Sequence, residues 1–124
     1  MQTEDTSKRA LVYTRDACRS WSEGPGEQLR ACSAYARKHG MTVVAHYDDH
    51  GSGLRAGKGL LALCANLEGA DAIVIRDASR ISRDPRLLLH VLSLAAKADV
   101  KVMSVEGGEL NEENVFVRRC ADAH

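Results

Sequence analysis

The chain has 124 residues and 13.5 kDa, the size of one compact domain with little room for a second. Lys+Arg and Asp+Glu are 17 each, so the formal charge is zero and no strongly basic composition points to nucleic acid, although local basic patches remain allowed. Apolar residues at 44% and charged residues at 27% support a packed core and argue against general disorder, while aromatics at only 4% argue against readers of single strands that need stacking platforms.

Leu11, Val12 and Tyr13 form a short β-prone run, followed by a polar stretch from Arg15 to Gly26. A helical pattern begins at Pro25 and places Leu29, Cys32, Tyr35 and Ala36 on one face before Gly40 ends it. Met41 to Tyr47 reads as a strand, and Asp48 to Gly57 as a loop with three glycines. Leu60, Leu61, Leu63, Cys64 and Leu67 mark a second helix, Asp71 to Ile75 a third strand, Pro85 to Lys97 a third helix and Val100 to Val105 a fourth strand. Glu109 to His124 carries a weak helical pattern, so the expected organisation is one domain over residues 1–108 with a short C-terminal helix or tail over 109–124 and no separate DNA-binding domain.

Alternating strands and helices of this kind specify an α/β three-layer sandwich around a mainly parallel sheet of about four or five strands, with flavodoxin-like or Rossmann-like topology. Chemistry is then expected beyond the carboxyl ends of the strands. Three loops lie there. The first contains Arg15, Ala17, Cys18 and Ser20; the second contains Asp49, His50, Gly51, Ser52 and Gly53; the third runs from Arg76 to Arg86.

Four arginines in the third loop, Arg76, Arg80, Arg83 and Arg86, flank a helix start, and Arg15 approaches from the first strand. Planar donors and a helix N-terminus around one point make an oxyanion site. The competing reading is a solvated loop whose arginines pair with Asp77, Asp84 and nearby acids. The second loop matches neither dinucleotide nor Walker patterns, since Gly57-Lys58-Gly59 lacks the glycine spacing and the Ser/Thr after lysine. Cys18, Cys32, Cys64 and Cys120 form no CxxC pair, which predicts reduced thiols rather than a zinc site or disulfide framework. The polar N-terminus lacks a signal-peptide core, and no apolar run approaches the ~20 residues of a membrane span, so a cytoplasmic protein is expected.

Val12-Tyr13-Thr14-Arg15, Gln28 to Tyr35 with Leu29, Asp49 to Gly53 with Ser52-Gly53, Lys58 to Leu61, and Ser79-Arg80-Ile81-Ser82-Arg83 occur in the order and setting of a known family. From about Leu11 to Gly108 the chain resembles the N-terminal catalytic domain of the serine recombinases, the resolvase/invertase family. That resemblance implies a resolvase-like fold and a serine that attacks a DNA phosphodiester to form a 5′-phosphoserine bond. Clustered arginines would stabilise the transition state without metal or other cofactor. Arg15, Arg80 and Arg83 match the family's arginines, and the resemblance implies phosphate contacts from Arg15, Ser52, Arg76, Arg80 and Arg83.

The departures point toward a degenerate site. Ala17 stands two residues after Arg15, where the family has its nucleophile; Ser79 stands where an acid usually precedes the first arginine of the third loop; Lys58 stands where an arginine is usual and loses the bidentate fork. Cys18 and Ser20 are the substitute nucleophiles to consider. Only sixteen residues follow Gly108, which is short for a helix-turn-helix reader. The expectation is a catalytically impaired recombinase-like domain that acts as a regulatory or oligomerising partner, as a homodimer or with a full-length recombinase, and binds DNA weakly or through that partner. The alternatives are an active recombinase or nicking enzyme using Cys18 or Ser20, and an anion- or nucleotide-binding module.

Overall fold

The computed structural model describes residues 8–16, 24–51 and 55–115 of the chain. Five strands are ordered β2-β1-β3-β4-β5: β1 is Lys8–Asp16, β2 Met41–His50, β3 Ala72–Ile75, β4 Lys101–Ser104 and β5 Gly108–Leu110. The first four are parallel, and β5 is antiparallel to β4. Helix α1 spans Pro25–Lys38, α2 Lys58–Ala65 and α3 Pro85–Lys97. This is the expected α/β sandwich around a mainly parallel sheet.

The layers follow from the alternation of side chains along β1. Ala10 and Val12 face α1, where they meet Cys32, Ala36 and Val74. Leu11 and Tyr13 face the other way, into a larger cluster with Leu60 and Leu63 of α2 and Leu88, Val91 and Leu92 of α3. Both faces of β1 and β3 are therefore covered, which is why their sequences read as continuous apolar runs.

Pairing carries the strands beyond those apolar runs. Arg15 and Asp16 belong to β1 rather than to the first loop, and Asp48, Asp49 and His50 belong to β2 rather than to the second, because Thr14, Arg15 and Asp16 pair with them in register. A bulge interrupts this ladder: Ala10 opposes Val43 but Leu11 opposes Ala45, so Val44 is an extra residue. Its effect is to switch the faces of β2. Val43 packs in the α1-side cluster, whereas Ala45 and Tyr47 pack on the side of α2 and α3.

Past β4, Gly108–Leu110 forms β5, where the sequence pattern showed only a weak helical tail. A three-residue strand has too few positions for its alternation to register, and its pairing with Val102 to Ser104 creates it. Leu110 and Val115 enter the larger core. Among the described residues no helix is long and apolar enough to cross a membrane.

Candidate functional site

The carboxyl ends of β1, β2 and β3 meet at the point where the chain order in the sheet reverses, with β2 on one side of β1 and β3 on the other. Arg15, the next-to-last residue of β1, is only 6% exposed. Its Nε donates to the Arg80 carbonyl at 2.7 Å, Nη1 to the Gly51 carbonyl at 2.9 Å, and Nη2 to the Ser79 carbonyl. One guanidinium thus joins the end of β1 to the segments that follow β2 and β3. Two further N–H groups of the fork remain after these bonds.

Arg80 and Arg83 crowd the same centre. Burial pushes the Arg15 guanidinium below its ordinary pKa, and the charges of Arg80 and Arg83 act in the same direction, against Tyr13 and Asp49. Arg80 donates from Nη1 to the Arg15 carbonyl at 3.2 Å and lies 3.4 Å through Nε from Asp77 Oδ2. Arg83 is exposed, and among the described residues it makes no ion pair. Lys58, the first residue of α2, is exposed as well.

The other arginines of the third loop turn elsewhere. Arg76 pairs with Glu106 at 3.3 Å, and the 91% exposed Arg86 side chain lies 3.5 Å from Asp84. The two competing readings of this loop therefore apply to different residues: Arg76 and Arg86 are paired with nearby acids, while Arg80 and Arg83 join Arg15.

The helix N-terminus expected to help hold an anion is already occupied. Asp84 caps α3 by accepting from Arg86 N–H at 2.9 Å, and this backbone bond holds its carboxyl below the usual range. Asp49 does the same for α2 from a distance in sequence. Its Oδ1 accepts from Gly59 N–H at 2.7 Å and its Oδ2 from Leu60 N–H at 2.8 Å. With both N-termini neutralised by carboxylates, positive potential at this edge comes from the arginines.

Tyr13 and Asp49, which lie in two of the motifs that carry the family resemblance but have no role assigned from sequence, brace the site from below. The Tyr13 hydroxyl donates to Asp49 Oδ2 at 2.7 Å, and burial together with that carboxylate raises the phenol pKa. Side chains added at Gly57 or Gly59 would overlap the Asp49 carboxylate or the Asp48 carbonyl, so the Gly57-Lys58-Gly59 run serves close approach of α2 to β2. The place of Tyr13 and Asp49 in those motifs was the signal in the sequence; the contact of the two glycines with Asp48 and Asp49 exists only in the fold.

Gln28, fully buried on α1, accepts from Arg15 N–H at 3.0 Å and donates to the Arg15 carbonyl at 2.9 Å. Asp16 lies 3.6 Å from His50 at the mouth. Ala17, Cys18, Ser20 and Ser52 lie outside the described residues. No group of three or more metal-ligating side chains occurs among the described residues.

The model of the resolvase N-terminal domain matches residues 10–120. Among solved structures, the chain is similar to the C-terminal catalytic domain of ISC1926 TnpA, an IS607-like serine recombinase, at 30% identity over 78% of this chain and 69% of that one, with a TM-score of 0.70. It shares the fold of the N-terminal catalytic domain of TP901-1 integrase, at 23% identity, 82% and 79% coverage and a TM-score of 0.74. It also shares that of a resolvase family site-specific recombinase from Streptococcus pneumoniae, at 18% identity, 94% and 85% coverage and a TM-score of 0.71. No curated protein matches the chain. The sheet order, the arginines gathered at its carboxyl edge and these matches place the chain in the resolvase N-terminal domain family, the catalytic-domain family of serine recombinases in DNA recombination.

Proposed function

We propose that this domain receives a DNA phosphodiester at Arg15, Arg80 and Arg83 but is impaired in cleaving it, and works as a regulatory or oligomerising partner in recombination. The observation that carries the reading is the concentration of the three arginines at the end of β1, whose last residue, Asp16, is followed in sequence by Ala17. A methyl group forms no phosphoester, while dense positive charge still stabilises phosphate oxygens. By the family resemblance, Lys58 and Ser52 join the arginines as further contacts to the same phosphate. In this reading the domain self-associates or pairs with a complete recombinase, and its own contact with duplex DNA is weak and steeply salt-dependent.

The test is a nicked suicide DNA substrate that traps a covalent intermediate. The natural chain is expected to give no adduct, while Ala17→Ser is expected to give one: serine Oγ bonds to phosphorus, the bond from phosphorus to the 3′-oxygen breaks, and the 3′-hydroxyl departs protonated. An adduct with the natural chain that disappears in Cys18→Ala or Ser20→Ala would overturn the impaired reading in favour of a substitute nucleophile. Sedimentation at several concentrations, alone and with a recombinase, tests the partner role; a monomer throughout with no co-sedimentation would end it.

A further inference from the structure

We propose that Asp77 is the positioning residue of Arg80 and supplies the carboxylate that Ser79 cannot. The inference rests on the reading of Arg80 as a phosphate-binding arginine. Resemblance to the family leads one to look for an acid directly before Arg80, and Ser79 there looks like a loss. The structure offers the carboxylate from two residues earlier. Asp77 opens the short 3-10 turn Ala78–Arg80 and accepts from Ser79 N–H at 3.1 Å and from the Ser79 hydroxyl through Oδ1. Its other oxygen, Oδ2, lies 3.4 Å from Arg80 Nε.

Arg80 depends on that oxygen. Its Nε is buried, and among the described residues it makes no hydrogen bond, so the Asp77 charge is what compensates it. The far end of the same guanidinium is held by the Arg15 carbonyl at 3.2 Å. Two anchors, one at each end, fix the plane of the fork and aim its remaining N–H groups beside Arg15. Both oxygens of Asp77 have distinct duties: Oδ1 shapes the turn, and Oδ2 orients the arginine. Ser79 contributes to the first duty by donating its hydroxyl to Oδ1, so it supports the displaced acid rather than leaving a gap. The Ser79 substitution therefore carries no weight as a sign of degeneracy, which then rests on Ala17 and Lys58.

Bulk electrostatics and positioning predict opposite signs, which makes the test decisive. Removing a negative charge beside three arginines should tighten anion binding if Asp77 only shields them; it should weaken binding if Asp77 aims Arg80. Asp77→Asn keeps an acceptor for the Ser79 N–H and thus the turn, since Asn caps as well as Asp. Inorganic phosphate affinity, measured by titration calorimetry, is expected to fall about two- to fivefold in Asp77→Asn, the range of a partly screened ion pair.

The Arg80 Nε–Hε resonance, assigned by its loss in Arg80→Lys, is expected to exchange slowly in the natural chain and quickly in Asp77→Asn. The double variant Asp77→Asn/Ser79→Asp is expected to restore both readings. Unchanged Hε exchange in Asp77→Asn, tighter phosphate binding in that variant, or no recovery in the double variant would each overturn the proposal. A natural chain that binds no phosphate defeats the anion reading of the site, while the Hε exchange still decides the role of Asp77.

Discussion

The side-chain amide of Gln28 closes both main-chain positions of Arg15, accepting its N–H at 3.0 Å and donating to its carbonyl at 2.9 Å. An α-helical side chain here does what a neighbouring strand would do, and it fixes the backbone of Arg15 from the α1 face while the guanidinium reaches out on the opposite one. Gln28→Leu preserves volume but leaves both groups without this partner in a buried place. Its expected cost is about 2 kcal/mol, read as a lower urea midpoint at unchanged slope. A loss below ~0.5 kcal/mol would show that other groups satisfy Arg15.

Arg15→Lys separates charge from geometry. An ammonium keeps the positive charge but cannot reach the carbonyls of Gly51, Ser79 and Arg80 together, as the planar fork does. The variant is expected to lose roughly 2–3 kcal/mol of stability, measured by denaturant unfolding, with weaker phosphate binding in the same protein. Stability equal to the natural chain would mean that the clasp on these three carbonyls contributes nothing.

Tyr13 predicts an alkaline limb to stability. Its pKa is raised in the folded state, first by burial and then by Asp49, so the folded form holds the phenolic proton more tightly than the unfolded chain. That contribution is fully present below the ordinary phenol value of about 10 and is lost as the pH rises above it. Tyr13→Phe is expected to lower neutral-pH stability by about 1 kcal/mol through the missing bond to Asp49, and to flatten the decline of Tm above pH ~10. Parallel curves for the two proteins across that range would contradict the assignment.

Close approach of α2 to the end of β2 makes Gly59 intolerant of a side chain, because an added Cβ would meet the Asp48 carbonyl. Gly59→Ala improves helix propensity by up to ~1 kcal/mol yet is expected to destabilise by roughly 1–3 kcal/mol, since rigid backbone rather than a flexible side chain must yield. Thermal unfolding checks the sign: a rise in Tm would show that helix propensity wins and that the approach is looser than described.

Periodicity and resemblance together made the architecture legible. The succession of strands and helices and the parallel sheet covered on two faces could be read along the chain, and the family resemblance marked Arg15, Arg80 and Arg83, because apolar alternation, helical spacing and short ordered motifs are local properties. Four features could not. The ends of β1 and β2 are polar, and ladder pairing alone makes Arg15 and Asp49 strand residues. Antiparallel pairing to β4 makes a strand of Gly108–Leu110.

The bulge at Val44 has the largest consequence for the site. It inverts the parity of β2, so that Ala45, Tyr47 and then Asp49 fall on the α2 side, where Asp49 meets Tyr13 and the start of α2. No pattern in MTVVAHYDDH marks the extra residue, because it exists only relative to the partner strand. The partners of the arginines are likewise long-range. Sequence alone determined which arginines lie in the segments around the carboxyl edge of the sheet. The tertiary structure decided what each one does there: Arg15 clasps three carbonyls, Arg76 and Arg86 pair with acids, and Arg80 is oriented by Asp77. Hydrogen-bond partners depend on distances across the fold, and those distances are set only once the sheet has formed its register.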